Sequence, residues 1–84
     1  MHPTAYVSPR AVVGPGVMVL PNSVINTSTV VERGVIVNCG AVVDHDCVIG
    51  AGAHVCLGAV VKAGNHIPEG MKVEAGVVIE NGVY

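Results

Sequence analysis

From Val7 to Ile79 a branched aliphatic residue returns at every sixth position without a break. The series is Val7, Val13, Val19, Ile25, Val31, Val37, Val43, Ile49, Val55, Val61, Ile67, Val73 and Ile79, and Met1 shares its phase. A period of six matches neither the 3.6-residue face of a helix nor the simple alternation of a strand. Repetition at a fixed spacing points instead to a stacked architecture, in which each unit buries its apolar side against the next. The 84 residues divide into six-residue units with no insertion, which predicts one domain spanning residues 1–84.

Numbered from the aliphatic residue, the other slots of the unit are also patterned. The fifth position is mostly small, as in Ala5, Ala11, Ser23, Ala41, Cys47, Ala53 and Ala59. The fourth is glycine at nine places, with Asn22 and Asp46 in the same slot. Glycine, asparagine and aspartate are the residues that enter left-handed backbone at least cost. Each unit therefore reads as a short strand closed by a tight turn, with the aliphatic and the small residue pointing inward. The sixth position points outward and is often Val: Val24, Val42, Val60 and Val78 in one column, Val12, Val30 and Val48 in another. Ladders of Val facing water mark an interface.

Composition supports an all-β reading. Apolar residues make up 51% of the chain, but only two are aromatic and Val dominates, as suits extended backbone. Four Lys and Arg against six acids leave no basic stripe for nucleic acid. No apolar run is long enough to span a membrane, and the first residues lack a signal-peptide pattern, so a cytoplasmic protein is the default. Cys39, Cys47 and Cys56 form no CxxC pair, which argues against a zinc site and for reduced thiols.

The repeats Val13-Gly14-Pro15-Gly16-Val17 and Ile49-Gly50-Ala51-Gly52-Ala53 resemble the motif of the hexapeptide-repeat proteins across the whole chain. That resemblance implies a left-handed parallel β-helix, with three units per 18-residue triangular coil and about 4–5 coils. General topology rules would give a right-handed connection, so the hand is an implication of the resemblance alone. It also implies a homotrimer with parallel axes. In the 18-residue register, Ser8, Asn26, Asp44, Lys62 and Glu80 form an outward column in which opposite charges can meet.

A narrower resemblance rests on Asn38-Cys39-Gly40-Ala41 followed by Asp44-His45-Asp46-Cys47-Val48-Ile49-Gly50 and by His54. This stretch is similar to the signature of acetyl-CoA-dependent acetyltransferases that act on nucleotide-linked amino sugars and sialic acid. It implies that His45 is the general base, that Asp46 orients it, and that His54 contacts acetyl-CoA. Gly64 and Ala75 lie where that family's cofactor groove would pass. No metal is implied. The chemistry agrees: imidazole titrates near neutrality and can take a proton from an amine or hydroxyl, and an adjacent carboxylate favours the imidazolium. Backbone N–H groups at turns could stabilise the oxyanion of an attacked thioester.

His54 lies nine residues after His45, half a coil around the prism. Two such side chains cannot meet within one subunit but can meet across a boundary, which places the site between subunits. That family's αβ domain for the sugar nucleotide and its Gly-x-Pro-Ala-Lys segment fall outside these residues, so no acceptor is named. Three explanations of the abrupt ends stay open: a fragment, a short member, or coils capped by neighbours. Two other functions stay open as well. One is a non-catalytic trimerisation module. The other is a γ-type carbonic anhydrase-like lyase, against which stands the spacing of His45, His54 and His66.

Overall fold

The computed structural model describes residues 2–84. Met1, which the repeat phase assigns to the interior, lies outside the described residues. There are 13 strands of two residues each, each made of a sixth and the following first position, and no helix among the described residues. The strands form three parallel sheets. The first stacks Tyr6–Val7, Val24–Ile25, Val42–Val43, Val60–Val61 and Val78–Ile79. The second stacks Val12–Val13, Val30–Val31, Val48–Ile49 and His66–Ile67. The third stacks Met18–Val19, Ile36–Val37, His54–Val55 and Lys72–Val73. Partners such as Val24 and Val42 are 18 residues apart throughout, so three units make one coil. The result is a left-handed parallel β-helix of just over four turns. The usual right-handed preference belongs to long twisted strands joined by packed helices. Strands of two residues joined by tight turns escape it.

The turns follow from the fourth position. In units such as 38–41, 50–53 and 56–59, the fifth-position N–H donates to the second-position carbonyl at 3.1 Å. The residue between them is left-handed, with φ of 68° at Gly40 and 58° at Asp46, as the third residue of a type II turn must be. The fourth-position N–H groups bond the coil below, as when Gly52 N–H reaches the Arg33 carbonyl at 3.0 Å. Ser28 shares this conformation at φ 58°, which its residue type did not announce.

The interior is filled by the first and fifth positions, as the repeat predicts. Ile25, Val37, Val43, Ile49, Val55, Val61 and Ile67 are fully buried, with Ala41, Ala53 and Ala59 between them. Each buried Val or Ile contributes about 1.5–3 kcal/mol before entropy is subtracted. Where the first corner turns from the first sheet to the second, three successive coils carry a hydrogen-bonding side chain at the fifth position. Thr29 Oγ1 donates to the Asp44 carbonyl at 2.7 Å, Cys47 Sγ to the Lys62 carbonyl at 3.2 Å, and Asn65 Nδ2 to the Glu80 carbonyl at 2.8 Å. Each side chain thus tethers the next coil from within. Burial pushes the Cys47 thiol pKa up, so it stays a protonated donor.

At the second corner, between the second and third sheets, the second position must be glycine in alternate coils. A Cβ on Gly50 would sit 2.6 Å from the Glu69 nitrogen and 2.7 Å from the Ile67 oxygen. Both are backbone atoms of the next coil and cannot swing aside. Gly50→Ala is expected to lower stability by about 1–3 kcal/mol, the usual cost of overpacking. A denaturant melt with an unchanged midpoint would contradict that packing.

Candidate functional site

His45 occupies the third position of the first corner, following Val42–Val43 and preceding Val48–Ile49. Its side chain is half exposed, as its slot implied. The backbone beneath it is held on several sides. Asp44 Oδ1 accepts the His45 N–H at 2.8 Å and also the Asn26 Nδ2 at 3.1 Å. The His45 carbonyl accepts the Gly64 N–H from the coil above at 3.4 Å. The Cys47 thiol touches the same carbonyl at 3.7 Å.

The ring itself is set by Asp46. His45 Nδ1 lies 2.8 Å from Asp46 Oδ2. A carboxylate only accepts, so Nδ1 carries the proton and Nε2 keeps its lone pair in the neutral ring. Asp46 can reach because its left-handed backbone throws its side chain back over the turn. The hydrogen bond to Asp46, reinforced by the nearby Asp44 charge, holds the His45 pKa above its ordinary value near 6.5. The pair is open to solvent and so adds little to stability; its effect is on the ring's orientation and basicity.

The other expected residues fall elsewhere. Gly64 stands in the same corner, one coil above Asp46, and its N–H is already committed to His45. His54 is in the third sheet, which faces away from the first corner, stacked between Ile36 and Lys72. Ala75 is exposed in the third corner, between the third and first sheets. A groove of about 640 Å³ runs along the second corner past Pro15, Arg33, Ala51, Gly52 and Glu69, and His45 does not line it. One protomer therefore brings together His45, Asp46 and Gly64, but neither His54 nor Ala75.

Comparison with solved structures adds a decisive likeness. The acetyltransferase domain of PglB from Neisseria gonorrhoeae superposes with a TM-score of 0.56 at 30% identity, covering 90% of this chain and 49% of that one. The chain is a hexapeptide-repeat β-helix of the kind these acetyltransferases carry. The PglB domain in complex with acetyl coenzyme A matches at 23% identity and a TM-score of 0.51, covering 92% of this chain and 51% of that one. A histidine-to-asparagine mutant of perosamine N-acetyltransferase from Caulobacter crescentus, in complex with CoA and GDP-perosamine, matches at 15% identity and a TM-score of 0.52. That match covers 95% of this chain and 50% of the other. These last two likenesses are of fold. The chain spans about half the length of the structures it matches. No family model and no curated protein matches the sequence.

On this β-helix, two supporting residues were not singled out for the site by sequence. By sequence Asp44 is a rung of a charge ladder. That ladder forms only in part: Lys62 Nζ pairs with Glu80 at 2.8 Å, whereas Asp44 pairs with Asn26. Asn38 opened the signature but was given no role. Its Oδ1 accepts the Cys39 N–H at 2.7 Å and its Nδ2 lies 3.3 Å from His54 Nε2. The signal was available: Asn26, Asn38 and Asp44 all occupy the second position, and each accepts the N–H of the next residue. Among the described residues no three His, Cys, Asp or Glu side chains converge as metal ligands. Among the described residues no helix is long and apolar enough to cross a membrane.

Asp46→Asn replaces an acceptor carboxylate by a neutral amide and removes the largest cause of the raised His45 pKa. The His45 titration midpoint, followed by NMR, is expected above 6.5 in the parent. It should move to lower pH in the variant. An unmoved midpoint would show that Asp46 does not hold the ring in solution.

Proposed function

We propose that this β-helix transfers acetyl from acetyl-CoA to an amine or hydroxyl of a sugar or nucleotide-sugar, with His45 as general base. The observation that carries the reading is the His45–Asp46 pair, which leaves Nε2 unprotonated on an open corner. Likeness to the PglB acetyltransferase domain at 30% identity supports the class of reaction.

The chemistry follows from the atoms. Nε2 takes the proton of the acceptor N–H or O–H as the acceptor lone pair attacks the thioester carbonyl. Asp46 stabilises the imidazolium that results. The carbon–oxygen π electrons move onto oxygen, then return as the carbon–sulfur bond breaks. The CoA thiolate leaves and is reprotonated by the imidazolium. Gly64 presents no side chain above the pair, which leaves room for the thioester.

We place the complete site between subunits. His45 is on the first corner and His54 on the opposite sheet, so they meet only if one protomer's corner faces another's third sheet. The outward column residues Tyr6, Val12 and Met18 are each more than half exposed, and Val24, Val30 and Val42 half-buried. A homotrimer with parallel axes would cover them. Acetyl-CoA and reduced thiols both suit the cytoplasm. The second reading is a trimeric module that assembles without catalysing.

Two measurements decide. Light scattering at micromolar concentration should give three times the 8.5 kDa chain mass; a monomer would end the inter-subunit site. Calorimetry should detect acetyl-CoA, and His45→Ala should lower the transfer rate about 10²–10⁴-fold. Binding without transfer would favour the module, and unchanged turnover in the variant would remove His45 from the mechanism.

A further inference from the structure

Among the described residues, Asn38 is the one polar side chain hydrogen-bonded to the His54 ring, and it is fixed before it gets there. Its own backbone is pinned on both sides: its N–H donates to the Val55 carbonyl at 2.8 Å, and its carbonyl accepts the Ala41 N–H at 3.1 Å. Its Oδ1 accepts the Cys39 N–H at 2.7 Å. A backbone N–H can only donate, so the oxygen of the amide must face Cys39. The amide nitrogen must then face His54, where Nδ2 lies 3.3 Å from Nε2. Turning the amide over would set the Nδ2 donor against the Cys39 N–H and lose that 2.7 Å bond.

An amide NH₂ only donates. Its partner nitrogen on His54 must therefore carry the lone pair, and the neutral ring must carry its proton on Nδ1. We infer that Asn38 is a positioning residue that locks His54 in the Nδ1–H tautomer and makes it a hydrogen-bond donor at the site, with no base role. His45 also carries its proton on Nδ1, but its free nitrogen is unpartnered and basic. In His54 the acceptor nitrogen is occupied by Asn38, and what remains is a donor. The two histidines of the site thus take opposite parts. With the transfer proposed above, on which this half of the inference rests, the Nδ1–H of His54 would bond a carbonyl oxygen of acetyl-CoA.

The test reads the tautomer directly. Nitrogen-15 NMR of the full chain, at a pH where imidazole is neutral, distinguishes protonated from lone-pair ring nitrogens; His54→Gln identifies the signals. The parent should show Nδ1 protonated and Nε2 bare. Asn38→Asp, nearly the same shape, presents an acceptor and should reverse the two. Asn38→Ala should let the second tautomer appear. A parent ring protonated on Nε2, or a tautomer indifferent to both variants, overturns the inference. Should Asn38→Asp fail to fold, the parent spectrum and Asn38→Ala still decide it. Acetyl-CoA affinity should fall about three- to tenfold in Asn38→Ala, the loss expected for one neutral hydrogen bond. Unchanged affinity in that variant removes the donor contact. A parent that binds no acetyl-CoA instead refutes the transferase, while the tautomer stands or falls on its own spectrum.

Discussion

Everything in this molecule rests on the turn that closes each six-residue unit. From Gly16 onward a left-handed residue at the fourth position turns the chain within a few bonds and carries the next strand onto the adjoining prism wall. Repeated without slippage, it sets a coil of 18 residues and puts like above like. The parallel hydrogen bonds, the interior columns and the outward ladders are consequences of that one closure. An error of a single residue in any unit would turn its aliphatic residue toward solvent and break the columns above it.

The fold was legible in the sequence because the period is strict. Val43 and Ile49 could be placed inside from spacing alone, and Gly40 or Asp46 in the turn from residue type. The hand was not legible from residue physics; it came with the family resemblance. The left-handed backbone of Ser28 was not legible because serine carries little preference for it. The Lys62–Glu80 rung was legible as charge alternation, but Asp44 was drawn off to Asn26 and to the His45 N–H, contacts that depend on local geometry.

The site was legible to a different depth at each residue. His45 and Asp46 are adjacent, so their pairing needs only the turn to hold them. The Asn38–His54 contact joins residues 16 apart and follows from coil stacking, which spacing gives only once the 18-residue register is known. Cys47 was read as a small core residue, and its volume fits that role. Its hydrogen bond to the Lys62 carbonyl belongs to a polar seam with Thr29 and Asn65 that steadies the first corner from inside. Spacing alone does not reveal such a seam, because its acceptors are backbone carbonyls.

Asp46 answers to two opposing demands. Its left-handed backbone is a conformation that glycine enters at no steric cost and aspartate only with strain. Glycine fills the equivalent place in the units on either side, at Gly40 and Gly52. Stability alone would therefore select glycine there too, and the imidazole would lose the carboxylate that orients it. An acid at this spot therefore trades backbone ease for the orientation of the imidazole beside it.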